Sequence, residues 1–295
     1  AKSQYFLNTR KVIPEILELF SKSNIHATWA SVGMLFNIDW KSWEDNEPKK
    51  LPNYTNVNLS SYRYGKTIKD EKHNKLCFAP ELIMAICNTK GQEMATHTYS
   101  HYYCLEEGQE KEAFKQDLEM AISLAAKMGI ELKSLVFPRN QLKEEYLTIC
   151  SDLGISNVRS NPENWYWKDT NDSGLSTKIA RTADAYVNLG KKSYPFSDFK
   201  AKKGFPLQQK ASRFLRPVES QSLLRNLKLK RIKTEMTMAA KEGEIYHLWW
   251  HPHNFGDQPE ESLNDLSEII KHFEFLRYNY NFQSLNMNEL GESVI

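Results

Sequence analysis

Gly91-Gln92-Glu93-Met94-Ala95-Thr96-His97-Thr98-Tyr99-Ser100-His101 is the stretch on which the reading of this chain turns. Two imidazoles stand four residues apart, directly after a short apolar run. On a helical turn, residues i and i+4 share a face, so both rings reach one ion. Neutral imidazole is a common ligand for zinc and its transition-series neighbours. A catalytic zinc usually takes three protein ligands and keeps a fourth position open. Two histidines are therefore an incomplete site, and the missing ligand is the main question. Taken alone, the pair is as readily incidental as functional.

Further along, His247-Leu248-Trp249-Trp250-His251-Pro252-His253-Asn254-Phe255-Gly256 closes an apolar, aromatic strand expected over 245–250. In parallel barrels the C-terminal strand ends carry the active site. Strand alternation puts residues 247, 249 and 251 on one face, and Pro252 favours an extended His251. His247 reads as a packing residue within the sheet. Phe137-Pro138-Arg139-Asn140-Gln141 ends another expected strand, which starts near Leu132. Arg159 and Arg216 fall at expected strand ends or loops, where they suit a phosphate or carboxylate on a substrate. Arg213 reads as surface charge.

Composition bounds the function. Lys+Arg 39 against Asp+Glu 37 gives a net charge of +2, a balance that argues against a dedicated nucleic-acid binder. No apolar run is long enough to span a membrane. Cys77, Cys87, Cys104 and Cys150 show no CxxC pairing. Scattered thiols in a chain this long read as reduced, hence cytoplasmic, with a disulfide as the alternative. The start, Ala1-Lys2-Ser3-Gln4-Tyr5, has neither an initiator Met nor the apolar centre of a signal peptide.

A chain of 295 residues suits one barrel-sized domain. Alternating helix and strand patterns point to parallel α/β construction. Helices are expected from Thr9 as N-cap to Phe20, and over 80–87, 109–128, 142–153, 175–189, 219–241, 260–276 and 287–294. Strands are expected over 25–32, 93–96, 132–137, 155–158, 245–250 and, closing the fold, 281–285. Residues 37–75 and 161–217 read as irregular insertions, the first an excursion over the barrel mouth.

Gly-x-Glu-Met-Ala-x-His-Thr-x-Ser-His resembles the second motif of the polysaccharide deacetylase family, the NodB-homology carbohydrate esterases, with Thr98 at its Ser/Thr position. Ile25 to Gly33 resembles that family's second strand. The resemblance runs from about Thr9 to Asn288. It implies a distorted (β/α) barrel of about seven parallel strands. It also implies a first strand upstream of Arg10, carrying an acidic metal ligand and an acidic base. By this resemblance His97 and His101 hold a divalent metal, zinc in first place, with Co, Ni, Mn or Fe as alternatives. His251 matches the histidine that protonates the leaving amine. The family's third motif is Arg-x-Pro; here the arginine follows the proline. Arg139 is then the residue that orients the catalytic carboxylate, and Asn140, by backbone N–H or side chain, helps an oxyanion. Asp184 is the candidate for the acidic residue that tunes His251.

The implied reaction is metal-dependent removal of an N-acyl group, acetyl above all, from an amino sugar. Trp165, Trp167 and Trp249 suit sugar faces, and His253 is placed facing the substrate. A nucleotide- or lipid-linked sugar of surface-polysaccharide assembly is the expected substrate. The alternatives are a sugar N-deformylase and an inactive carbohydrate-binding or assembly protein on the same fold. A nucleophilic serine hydrolase has little support, because no Gly-x-Ser-x-Gly occurs.

Overall fold

Apolar runs bounded by turn residues become short parallel strands, and the amphipathic stretches between them become helices. A computed structural model of the chain describes residues 2–168 and 174–294. Its strands are β1 (Ala27–Ser31), β2 (Gln92–Thr96), β3 (Ser134–Val136), β4 (Asn157–Ser160), β5 (Leu207–Lys210), β6 (Arg213–Phe214) and β7 (Leu248–Trp249). Its α-helices run α1 (Lys2–Lys22), α2 (Trp40–Asp45), α3 (Ser61–Ile68), α4 (Asn74–Cys77), α5 (Pro80–Cys87) and α6 (Lys111–Lys127) in the first part of the chain. They continue as α7 (Glu144–Asp152), α8 (Trp165–Lys168), α9 (Leu175–Ala183), α10 (Ser222–Glu242), α11 (Pro259–Tyr280) and α12 (Met287–Val294).

The chain divides into two compact units: Ala1–Ile25 with Asn161–Phe199 and Lys210–Ser284, and His26–Ser160 with Lys200–Gln209 and Leu285–Ile295. The second unit holds a five-stranded sheet in the order β1-β2-β3-β4-β5. The pairings β1–β2, β2–β3 and β3–β4 are parallel, with Ala27 opposite Gln92, Thr96 opposite Leu135 and Val136 opposite Arg159. The first unit holds a two-stranded parallel sheet, β6 beside β7. Among the described residues the five strands do not close into a barrel.

In the sheet unit, Met94, Ala95 and Leu135 are buried, as are Phe114, Leu118 and Ala121 of α6 and Ile83 and Ile86 of α5. Full burial of one such side chain is worth about 1.5–3 kcal/mol, so this layer dominates the unit's stability. Residues 37–75 do not form the open excursion their polarity suggests. They carry α2, α3 and the start of α4; the Asp39 and Ser60 side chains cap α2 and α3, and Asp70 caps the short 3-10 turn Glu71–His73 before α4. Trp40, Trp43, Tyr54 and Tyr62 are buried; their apolar area outweighs the polar residues around them.

In the other unit, α10 and α11 pack through Ile232, Met236, Leu266, Ile269 and Phe273, all buried, with Ile16 and Phe20 of α1 also buried. Helix α1 starts well before Thr9, which is no cap: its hydroxyl donates back to the Tyr5 carbonyl at 3.0 Å. Arg213 is not surface charge. It is buried, with a bidentate pair to Glu235 at 2.5 and 2.6 Å. Polarity alone could not show this, because the partner is contributed by a helix distant in sequence.

The strand expected over 281–285 does not form. Asn281 takes φ 53 as the left-handed cap of α11, and Asn286 then opens α12, its side chain accepting from the Glu289 N–H at 2.9 Å while its own N–H donates to Glu289 at 3.0 Å. Two capping sites five residues apart leave no length for a strand. Conversely, β5 and β6 fall in the tract read as irregular. In β5, buried Gln209 donates to the Asn157 side chain at 3.0 Å and to the Met287 carbonyl at 2.7 Å.

Glu93 ties β2 to α12. Its carboxylate accepts from the Thr28 hydroxyl at 2.6 Å and from the Asn288 N–H at 3.1 Å. Burial raises its pKa, against the hydrogen bonds from Ser134, Thr28 and Asn288 that pull it down. A carboxyl with a raised folded pKa contributes stability that is complete below its unfolded pKa, about 4.3, and lost as pH rises through the folded value. Glu93→Gln is therefore expected to gain stability relative to the parent as pH rises from 4 to 8, measured by urea denaturation across that range. A difference that is flat with pH contradicts this account.

Candidate active site

Strand β2 ends at Thr96, and His97 follows on a loop rather than on a helical turn. The two imidazoles still meet, with ring centroids 4.8 Å apart. They do so because Thr98 takes φ 62 and His101 φ 61, left-handed values that are uncommon outside glycine and an outlier for a β-branched residue. The helical expectation fails because the loop's amides have other acceptors. Tyr99 N–H and Ser100 N–H donate to the Asp117 carboxylate at 2.8 and 3.2 Å, and Tyr102 N–H donates to the Thr98 hydroxyl at 2.7 Å. On the carbonyl side, Gly33 N–H and Met34 N–H donate to Thr98 and Tyr99 at 2.8 and 2.9 Å.

His97 Nδ1 lies 2.6 Å from the Val136 carbonyl at the end of β3. A carbonyl only accepts, so Nδ1 carries the proton and Nε2 presents its lone pair. Metal-ligating histidines commonly donate their other ring N–H in this way. His101 leans edge-on to Tyr103 at 5.1 Å, and the Arg139 guanidinium lies 4.3 Å from the same ring. The Tyr103 N–H donates to the Tyr54 hydroxyl at 2.8 Å, so residues 37–75 support this loop from below its aromatic face.

The two imidazoles fit as ligands for a divalent transition ion. Among the described residues no group of three His, Cys, Asp or Glu side chains completes the set, so the acidic third ligand that the motif calls for has no counterpart among them.

Arg139 has an acidic partner of its own, and Asn140 and Arg159 bond to each other. Arg139 takes φ 53 and pairs with Glu106 at 3.2 Å, half exposed, rather than with a buried carboxylate. Asn140 spends its backbone N–H on the Phe137 carbonyl at 3.0 Å, closing a tight turn, so that N–H is not available to an oxyanion. Its side-chain oxygen accepts from Arg159 at 2.5 Å. Arg159, opposite Val136 in the sheet register, is partly buried, and desolvation draws its pKa down to about 9; it remains cationic at neutral pH.

In the other unit, β7 is only two residues long, and His251 lies just past it in extended conformation, φ −97 and ψ 125. Its ring stands 5.6 Å from Trp249 and 5.7 Å from Phe214, and stacks on His253 at 4.9 Å. The structure thus brings Trp249, His251 and His253 together. His253 also sits against Tyr5 and Phe6, and desolvation by these neighbours lowers its pKa although it keeps an exposed edge. Arg216 lies instead near Tyr186, whose hydroxyl donates to Glu219 at 2.9 Å. Asp184 is taken up in a buried ion pair with Lys192 at 2.9 Å. His247 does what a sheet residue should: its carbonyl accepts from Ser212 and Arg213.

Asp117 is the residue that reading the sequence missed. It sits on the apolar stripe of α6, fully buried, and burial pushes its pKa up to about 6 against four donated hydrogen bonds. The signal was present: an acidic residue on a stripe otherwise made of Phe114, Leu118 and Ala121 needs donors.

No family model and no curated protein matches the chain. Solved structures do. A protein assigned as a polysaccharide deacetylase from Mycobacterium smegmatis matches with TM-score 0.57 at 13% identity, over 97% of this chain and 78% of the other. A second, from Pseudomonas aeruginosa PAO1, matches with TM-score 0.55 at 11% identity, over 99% and 75%. A GH57-type branching enzyme from Pyrococcus horikoshii matches with TM-score 0.51 at 10% identity, over 99% and 64%. The chain therefore has an α/β fold of the NodB-like polysaccharide deacetylase type. The same scaffold also carries a branching enzyme, so the reaction has to be argued from the site.

Gly33 makes the approach of the histidine loop possible. A Cβ there would stand 2.8 Å from the Tyr99 ring and 2.9 Å from its Cα. Gly33→Ala is expected to cost about 1–3 kcal/mol, the range for overpacking a close contact. Urea denaturation checks this; an unchanged midpoint would show that the loop yields freely.

Proposed function

We propose that the protein is a carbohydrate N-deacetylase in which His97 and His101 hold a divalent metal, zinc in first place, and His251 serves the departing amine as acid. The observation that carries the reading is the His97–His101 pair at a strand end, with His97 Nδ1 committed to the Val136 carbonyl. Such a bond fixes the tautomer and raises the basicity of Nε2. When bound, the metal supplies Lewis acidity at the acyl carbonyl and acidifies a water. The motif also calls for an acidic base and an acidic third ligand, and among the described residues no third metal-ligating side chain joins the pair.

His251 is suited to its role by its setting. Trp249 and Phe214 flank the ring, and the residue is exposed. Histidine is the side chain most often used to pass a proton to or from a reacting group. Trp249 offers an apolar face for a sugar ring, and His253 stacks on His251. Arg139 on Tyr103, and Arg159 held by Asn140, give the substrate cationic groups near the histidine pair, which suits a phosphorylated or nucleotide-linked sugar.

The test combines elemental analysis with acetate release from N-acetylglucosamine oligomers and from nucleotide-linked N-acetylhexosamines. The parent is expected to carry about one divalent metal per chain, and His97→Ala to lose it. His251→Ala is expected to keep the metal and lose about 10²–10⁴-fold in turnover. Metal retained in His97→Ala overturns the ligand assignment. Metal binding without acetate release from any substrate favours a carbohydrate-binding role for the same fold, and formate release from N-formyl sugars a deformylase.

A further inference from the structure

We infer that Asp117 is the positioning residue of the histidine pair: its carboxylate, and not the local sequence of the loop, holds His97 and His101 in convergence. This rests on reading the pair as a metal site. The side chain is 1% exposed on a helix whose neighbouring positions Phe114 and Leu118 are fully buried and apolar. An acceptor in that place persists only with donors. Three of its donors come from between the two histidines: Tyr99 N–H at 2.8 Å, Ser100 N–H at 3.2 Å and the Ser100 hydroxyl. The fourth, the Tyr62 hydroxyl at 3.3 Å, reaches in from α3.

The loop is therefore gripped from both sides. Asp117 accepts from its amides, while the Gly33 and Met34 N–H groups donate to its carbonyls. Thr98 and His101 at either end hold left-handed φ values that neither residue adopts by preference. Such conformations persist where the surroundings over-determine them. With the carboxylate removed, the Tyr99 and Ser100 amides lose their acceptor, the loop regains negative φ, and the His101 ring turns away from His97. The ligand geometry is thus set before any ion arrives.

The experiment uses the whole chain and two readouts: amide hydrogen exchange at Tyr99 and Ser100 in metal-free protein, and Co²⁺ titration followed by visible absorption. Asp117→Ala is expected to lose protection at both amides and to weaken Co²⁺ binding by about tenfold or more, as for other residues that orient metal ligands. Asp117→Asn keeps an acceptor oxygen for the two amides and is expected to preserve both readouts. Leu147→Ala, in the buried face of α7, serves as a destabilised control that should leave both unchanged. If Asp117→Ala does not fold, Ser100→Ala removes one donor alone and should shift Co²⁺ affinity in the same direction by less. Unchanged protection and affinity in Asp117→Ala, or equal losses in Leu147→Ala, overturn the inference. A parent that binds no Co²⁺ refutes the metal reading instead, and the exchange arm still decides the role of Asp117.

Discussion

The carboxylate of Asp117, buried in α6, accepts hydrogen bonds from the Tyr99 and Ser100 amides, and the shape of the candidate site depends on that constraint. The magnitudes show why it suffices. Holding Thr98 and His101 in left-handed backbone costs on the order of 1–3 kcal/mol each. Leaving a buried amide unpaired costs about 1–3 kcal/mol, and hydrogen bonds to a charged acceptor are stronger than neutral ones. Two amides and two hydroxyls on one carboxylate therefore offset the strain, and the Gly33 and Met34 donors close the account. The desolvation of Asp117 remains a cost, visible in a pKa pushed up to about 6.

The strand end that carries His251 is held by similar physics with different groups. Two strands of two residues each would be marginal alone. Glu235 of α10 joins them: Arg213 of β6 pairs with it bidentately, and the Tyr246 hydroxyl, two residues before β7, donates to it at 2.8 Å. Arg231 adds a third contact at 2.8 Å. Breaking one partner of such a buried set is typically worth about 3–5 kcal/mol. Phe214, next to Arg213, and Trp249, three residues after Tyr246, are the ones that touch His251.

Long periodic elements were legible. The helices at Pro80–Cys87 and Met287–Val294 match the reading to the residue, because Pro at a first turn and an Asn-x-x-Glu start are local signals. The strand delivering His97 was legible from its apolar run and the Gly91 turn. The failures share a cause. Arg213 looked like surface charge, Asn140 seemed to offer its amide, and residues 281–285 looked like a strand. Each judgement required knowing which group supplies the partner: Glu235 of α10 for Arg213, the Phe137 carbonyl three residues back for the Asn140 amide, and the α12 capping box directly after residues 281–285. Asp117 is the same case seen from the other side.

The amino-acid order by itself determined the alternation of helix and parallel strand, the placing of two imidazoles beyond one strand end and a third beyond another, and the resemblance in motif, because these follow from periodicity and spacing within a dozen residues. Tertiary structure alone decided that the two imidazoles converge through left-handed backbone, that Val136 fixes the His97 tautomer, and that Arg139 rests on Tyr103. The physical reason is that hydrogen-bond acceptors and ion-pair partners of buried groups are drawn from any part of the chain, so the conformation of a loop is set by whichever distant group satisfies its amides.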